Sequence, residues 1–269
     1  IRDACDLVQK DGASIQNIKE LLVDLVDFYD ENYQTWRIIY SNSEGITYPD
    51  AIYQFFKHAT VGAAIAQVIA NDPYTGDHDK ERKNDMSIGF WVSYYNEVMG
   101  YDSSFYTEGT NNGLDENGQY TDKTKLGLLD QARLLNAVQY KENAQQAIWV
   151  VCFNADSLDW GIFSVNDKWF PDTLADPKYE NFKYLPGFMD QDPKTIALWQ
   201  INNFANIGAG IGMFYSYQFD GGRVMNTGGF TLGDALHSIK SYNPRNPLTG
   251  DVMMYANKMN HRFPGEKKP

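Results

Sequence analysis

The chain contains little cysteine and few basic residues, and both shortages narrow its possible functions. Only two cysteines, Cys5 and Cys152, occur among 269 residues, and no CxxC pair is present, which excludes a zinc site built on cysteines. These two residues allow one disulfide or two free thiols. The formal net charge is −12, from 23 basic and 35 acidic residues. Because nucleic acids and anionic membrane surfaces attract basic patches, neither is expected as a main partner.

Long apolar runs are also missing. No stretch reaches the roughly 18 apolar residues that a membrane-spanning helix needs, so no transmembrane segment is expected. The length of 269 residues is enough for one large domain or two small ones, and an apolar content of 43% allows a real core. Aromatic residues reach 14%, with 18 tyrosines and 6 tryptophans. Such a content fits carbohydrate binding, since aromatic rings stack on sugar faces, and it equally fits a tyrosine-rich core and surface.

The N-terminal half is predicted to be helical. Apolar residues recur at three- and four-residue spacing in "SIQNIKELLVDLVDFYDENY", residues 14–33, with Ser14 as an N-cap. A second helix is predicted from Pro49, because proline suits a first helical turn, to the charged stretch "NDPYTGDHDKERKND". Residues 86–100 form a third apolar segment. Residues 107–125, rich in Gly, Asn and Asp, are the best candidate for a linker or long loop.

The C-terminal half combines helices with a predicted hairpin. Leucines and alanines on one face predict a helix over about residues 125–144. Residues 147–163, "AIWVVCFNADSLDWGIF", contain two β-rich runs around "NADS", which indicates a β-hairpin. Residues 195–218 and 231–243 are predicted to be helical, and the small residues of "NIGAGIGMF" fit helix packing better than a phosphate-binding loop. The predicted fold class is therefore mainly α, of the α+β type.

Glu142, near the predicted end of the 125–144 helix, and Asp159, in the predicted hairpin, are the main candidates for chemistry. They lie 17 residues apart. In a glycosidase, one carboxyl group with a pKa raised by apolar surroundings protonates the leaving oxygen, while a second stays ionised and stabilises or attacks the sugar cation. Tyr140 and Trp149 would supply the apolar wall. From spacing alone, ordinary surface carboxylates are the more frequent case.

A resemblance to known sequences strengthens the catalytic interpretation. The stretch "DWGIFSVNDKWF" resembles the substrate-cleft hairpin of animal-type lysozymes, a family that places its catalytic glutamate at the end of a helix the same distance before the aspartate. The stretches "NAVQYKEN", "GIFSV", "NIGAGIGMFYSY" and "DALHSIKSYNPRNP" are similar, in order and approximate distance, to motifs of the related lytic transglycosylases. The resemblance covers roughly residues 126–262. It implies a lysozyme-like helical domain over 121–269, with a small β-hairpin lining its cleft.

The resemblance also implies roles for individual residues. Glu142 matches the general acid or base, and Asp159 matches the second carboxylate of the animal-type lysozymes. Further positions match groups that line the cleft and bind substrate. These substrate-binding candidates are Trp160, Ser164, Asn206, Tyr242 and Asn243. Residues 1–120 match no motif, and are expected to form an N-terminal helical region that is either separate or packed on the lysozyme-like core.

The resemblance implies an enzyme that cleaves the β-1,4 bond between N-acetylmuramic acid and N-acetylglucosamine in peptidoglycan, or a bond of a related amino-sugar glycan. No cofactor and no metal are implied, and the substrate implies the cell envelope, such as the periplasm, or the extracellular space. Three departures leave a second hypothesis open, a non-catalytic glycan-binding or structural protein on the same scaffold. Ser164 replaces the family's glutamine, Asn143 replaces the serine after the glutamate, and Pro244 follows Asn243 where the transglycosylase motif continues toward a glycine.

The remaining signals are weaker. Asp72, Asp77, His78 and Asp79 lie close together, but their spacing fits neither a calcium nor a zinc template. Placing Gly118 at the glycine position of an EF-hand loop leaves no carboxylate at its first and twelfth positions, which disfavours calcium. His58 lies among apolar residues of a predicted helix and is expected to be a core or boundary histidine. No serine of the chain lies in a nucleophile-elbow motif.

Overall fold

We describe the fold from a computed structural model of the chain. The structure describes residues 15–41, 47–70, 82–106, 113–118, 120–149, 159–160, 163, 165–166, 202–216 and 229–242. This part of the chain is mostly helical, as predicted. Its helices are α1 (Ile15–Ser41), α2 (Tyr48–Ala70), α3 (Arg82–Val98), α4 (Leu128–Trp149), α5 (Asn203–Ser216) and α6 (Leu232–Tyr242).

Two short strands lie between α4 and α5. Strand β1 (Asp159–Trp160) pairs antiparallel with β2 (Val165–Asn166), so that Asp159 is opposite Asn166 and Trp160 is opposite Val165. The turn predicted at "NADS" lies outside the described residues. Among the described helices, none is both long and apolar enough to cross a membrane.

Helix α4 differs from its prediction at both ends. It begins at Leu128 because the preceding residues are extended instead: Lys125 forms a β-bridge with Thr231, and the backbone N–H of Leu126 donates to the carbonyl of Phe230. It ends at Trp149 rather than near residue 144. The prediction of β-structure from residue 147 is therefore wrong for residues 147–149, which are helical. The sequence "KENAQQA" explains the extension, since its Lys, Glu, Ala and Gln residues favour helix and no glycine or proline interrupts them.

Polar side chains fix the starts of the later helices. At α5, the side chain of Asn202 accepts a hydrogen bond of 3.1 Å from the backbone N–H of Ala205. At α6, Thr231 and Asp234 cap each other: the N–H of Thr231 donates to the carboxylate at 3.0 Å, and the N–H of Asp234 donates to the threonine hydroxyl at 3.2 Å. Such caps satisfy backbone donors that have no partner within a helix. They hold α5 and α6 at fixed starting points.

Helix α3 lies at the centre of the described structure. It packs against α2, α4 and α5, and the α2–α3 contact is very close because Gly62 and Gly89 face each other without side chains. Aromatic rings fill the junction with α1 and α5: Phe28 lies 5.3 Å from Phe204, and Phe90 lies 5.0 Å from the same ring. Helices from both sides of residue 120 therefore share one hydrophobic core, while the domain division at that residue stays a prediction.

Candidate functional site

The β1–β2 hairpin is held against α5 by its turn residue. The backbone N–H of Phe163 donates a hydrogen bond of 3.2 Å to the side-chain oxygen of Asn206. The Phe163 side chain is buried and lies against Gly210, where an added Cβ would come within 2.5 Å of the Phe163 Cβ. The glycine thus makes room for the ring. Two stretches that carry the family resemblance, "GIFSV" and "NIGAGIGMFYSY", are in direct contact.

Asn206 has a positioning role in this arrangement. It lies in the first turns of α5, where its backbone N–H donates to the carbonyl of Asn202 at 2.8 Å, and its side chain is fully buried. Because its amide oxygen accepts the hydrogen bond from Phe163, it fixes the hairpin turn on the helix. Substrate contact through Asn206 stays a prediction.

Glu142 lies inside α4 and not at its end. The expected terminal position is wrong because the helix continues to Trp149. At about 100° per residue, position 142 continues the helical register of Gln131, Leu135 and Val138, all of which are buried. The side chains from residue 140 onward in α4 lie outside the described residues, so the separation between Glu142 and Asp159 stays untested.

For the other predicted site residues, the structure describes either the position of the backbone alone or no position. Asp159 and Trp160 form β1, the first strand of the hairpin that α5 holds. Tyr242 is the last residue of α6. Asn143 lies within α4, whereas Ser164 lies outside the described residues. Asn243 also lies outside the described residues.

A buried polar network that joins α3, α4 and α5 was not predicted from the sequence. The Tyr215 hydroxyl donates to the side-chain oxygen of Gln131 at 2.5 Å, and the amides of Gln131 and Asn96 bond to each other at 2.8 and 3.1 Å. These three residues join α5, α4 and α3. Burial raises the pKa of the Tyr215 hydroxyl well above its ordinary value, so it stays a neutral donor. The sequence signal that could have predicted this network is the presence of polar residues within otherwise apolar helical runs.

A second set of polar contacts crosses the interface between α2 and α3. The His58 Nδ1 atom lies 2.8 Å from the Ser93 hydroxyl, and its Nε2 atom lies 3.4 Å from the Glu97 carboxylate. His58 is almost completely buried, which confirms the core prediction. Burial lowers its pKa to about 4, against the opposing effect of Glu97. The imidazole is therefore neutral at pH 7, and its 3.4 Å contact with Glu97 is not an ion pair.

The Ser–His–Glu order of these contacts is that of a hydrolase triad, but the two ring nitrogens are exchanged relative to the serine-protease pattern and the setting differs. Ser93 is buried in the middle of α3, where the backbone N–H groups are engaged in the helix. A nucleophilic serine needs access to substrate and N–H donors directed at the developing oxyanion. The arrangement at Ser93 offers neither, so we interpret it as a polar contact between helices.

The loop that resembles an EF-hand is closed by its own hydrogen bonds. Gly118 has a φ of 74°, and the Asn117 N–H donates to the Asp115 carboxylate at 2.9 Å. The Thr121 hydroxyl donates to the carbonyl of Gly113, at the position where an EF-hand has its first ligand. Within the described residues, no group of three His, Cys, Asp or Glu side chains is arranged to hold a metal. The other metal candidate, residues 72–79, lies outside the described residues.

Comparison with known proteins gives no match to a family profile, a curated protein or a solved structure. The lysozyme resemblance therefore rests on the sequence motifs and stays a prediction.

Proposed function

We propose that the chain is a lysozyme-like glycosidase that cleaves the β-1,4 bond of peptidoglycan or a related amino-sugar glycan. The supporting observation is the contact between two of the resembling stretches: Phe163 of the hairpin is bonded to Asn206 and packed on Gly210. The chain order also supports it, because the helix with Glu142 is followed by the hairpin that begins with Asp159, and then by the helix that holds this hairpin.

In this mechanism Glu142 donates its proton to the glycosidic oxygen. A carboxyl group must be protonated near neutral pH for this step, which requires a pKa raised by apolar surroundings. Leu135 and Val138, which precede Glu142 in the same helical register of α4, are buried. Asp159, ionised, stabilises the developing positive charge on the sugar or positions water. If Asp159 is out of reach, the substrate's N-acetyl group or C6 hydroxyl completes the reaction, the latter giving an anhydro product.

The proposal has consequences for setting and partners. The enzyme requires no cofactor and acts in the cell envelope or outside the cell, where its substrate is found. Peptidoglycan is itself anionic, and the chain carries a net charge of −12. Attraction to the substrate must therefore come from a local patch and not from overall charge.

The test is product analysis on purified peptidoglycan and on chitooligosaccharides, comparing the wild type with Glu142→Gln. We expect glycosidic cleavage by the wild type and a loss of about 10²- to 10⁴-fold in the variant, the usual contribution of a general acid. Glu116→Gln, the same change at an exposed loop residue, is the matched control. Undiminished cleavage by Glu142→Gln would remove the role assigned to Glu142.

The alternative function is non-catalytic glycan binding on the same scaffold. It is favoured by the buried state of Asn206, whose amide oxygen is used by the hairpin backbone, and by Ser164 in place of the family's glutamine. Calorimetric titration with a chitooligosaccharide distinguishes the two. Binding without any cleavage by the wild type supports the alternative.

A further inference from the structure

The outer surface of α1 and the start of α2 carry the large hydrophobic side chains that are exposed in the described part of the chain. Val23 and Val26 are each 58% exposed, and Leu22, Tyr48 and Tyr53 are exposed as well. The α1 and α2 parts are linked, since the Tyr48 hydroxyl lies 3.4 Å from that of Tyr33 on α1. Isolated exposed hydrophobic residues are normal, but Leu22, Val23 and Val26 lie within about one turn of α1, and such a concentration indicates an interaction site.

Charged residues border this surface in a regular way. At about 100° per residue, Lys19, Val23, Val26 and Asp30 fall within an arc of roughly 60° on α1, and all four are exposed. Along the helix the order is base, apolar, apolar, acid. Lys19 and Asp30 are separated by about 16 Å at 1.5 Å per residue, with the two valines between them.

The order is self-complementary about a single point. Lys19 and Asp30 are equally distant from the midpoint between residues 24 and 25, and so are Val23 and Val26. A twofold axis through that midpoint brings two antiparallel copies of α1 together. The same axis places Val23 against Val26 of the second copy and Lys19 against Asp30 of the second copy. One register thus pairs these two valines and these two charged residues with complementary partners.

We infer that this chain forms a twofold-symmetric dimer through α1, with Val23 and Val26 at its centre and a Lys19–Asp30 pair at each end. A twofold dimer uses the same surface on both copies, so its residues must complement themselves. The symmetric placement of opposite charges meets that requirement, whereas an unrelated partner would impose no symmetry on this helix. Tyr48, in contact with Tyr33 of α1, extends the apolar surface toward α2. The inference is independent of the proposed glycosidase activity.

Sedimentation velocity over a concentration series up to about 100 µM tests the dimer. We expect the wild type to dimerise and Val26→Glu to raise the dissociation constant by about a hundredfold or more, because each copy would bury a carboxylate against valine. A circular dichroism melt checks that the variant remains folded. A monomeric wild type throughout the series, or an undisturbed dimer in Val26→Glu, would overturn the inference.

A charge exchange tests the antiparallel register. Lys19→Asp places two acids opposite each other and Asp30→Lys places two bases opposite each other, so each should weaken the dimer by about tenfold. The double variant restores both pairs and should return the dissociation constant to within about threefold of the wild type. Lys123→Asp, at an exposed position elsewhere, controls for net charge. Failure of the double variant to recover would overturn the proposed arrangement.

Discussion

Phe163 and Asn206 join the hairpin to α5 through a hydrogen bond of 3.2 Å from the Phe163 backbone N–H to the Asn206 side-chain oxygen. Both residues are buried, so water does not compete for this bond. An unmade hydrogen bond at a buried backbone donor costs more than the bond itself contributes. The position of β1, and with it the backbone of Asp159, therefore depends on this asparagine.

Asn206→Ala should loosen the hairpin. The Phe163 N–H would lose its acceptor, and we expect a loss of about 1–3 kcal/mol in the free energy of unfolding. Limited proteolysis should cut between residues 159 and 166 faster than in the wild type, while denaturant titration reports the change in stability. Asn203→Ala, at an exposed position of the same helix, should stay within about 0.5 kcal/mol. Equal stability of the two variants would contradict the positioning role of Asn206.

Alanine substitution at the two contact glycines of α5 should be destabilising even though alanine favours helix. A Cβ on Gly208 would lie 2.5 Å from the indole of Trp91, which is itself fixed by a 2.8 Å hydrogen bond to the carbonyl of Phe204. Overpacking costs about 1–3 kcal/mol and exceeds the gain of about 1 kcal/mol from helix propensity. Gly210→Ala acts in the same way on Phe163.

Thermal or denaturant unfolding of Gly208→Ala and Gly210→Ala checks this expectation. Gly100→Ala is the control, because its Cβ would meet nothing within 4 Å and its φ of 67° alone is unfavourable, at a cost of about 1 kcal/mol. Only Gly210→Ala should also increase the rate at which a protease cuts the chain within the hairpin. A stabilising effect of either α5 substitution would show that the neighbouring rings can move aside.

The helices were predictable where one apolar face repeats with helical period. Helix α1 begins at Ile15, next to the predicted cap, and "NIGAGIG" forms the packing helix that its small residues indicated. The end of α4 was missed because local propensity continues through "QQA", whereas the following strand-like residues suggested an earlier change. The contacts of Asn96 with Gln131 and Tyr215 span residues far apart in the chain, and no local pattern specifies such partners. The chemistry proposed for Glu142 depends on a side-chain position that periodicity alone does not give.

His58 should make stability fall with decreasing pH. Burial lowers its pKa from 6.5 to about 4 in the folded protein, so between these pH values the unfolded chain binds a proton that the folded chain does not. The free energy of unfolding therefore decreases as the pH falls from about 6.5 to about 4, and the contribution of this group approaches about 3 kcal/mol. Above pH 6.5 the group contributes no pH dependence.

Denaturant titrations across this pH range, for the wild type and for His58→Gln, measure the contribution. The variant cannot take up the proton, so its stability should vary less between pH 6.5 and 4. Nuclear magnetic resonance titration of the imidazole measures its pKa directly. A folded-state pKa at or above 6.5 would contradict the prediction, because stability would then be lost as the pH rises and not as it falls.

Tyr215→Phe should be moderately destabilising through the loss of two buried hydrogen bonds, the one its hydroxyl donates to Gln131 and the longer one it accepts from the Asn96 amide at 3.2 Å. The ring contacts remain, including that with Phe230 at 5.0 Å, so the change isolates the hydroxyl that donates to Gln131 at 2.5 Å. Gln131 keeps its bond from the Asn96 amide at 2.8 Å, and no acceptor is left wholly unsatisfied. The expected loss is therefore at the lower end for a buried bond, about 1 kcal/mol.

Denaturant unfolding of Tyr215→Phe measures this loss, with Tyr53→Phe as the matched control. Tyr53 is 66% exposed, and its hydroxyl stays hydrated in both the folded and the unfolded chain, so its removal should change stability by less than about 0.5 kcal/mol. If Gln131→Leu is added to Tyr215→Phe, the combined loss should differ from the sum of the single losses by about 0.5 kcal/mol or more, because the two residues share a bond. Strict additivity would mean that Tyr215 and Gln131 stabilise the fold independently, and that α4 and α5 are joined mainly by their apolar contacts.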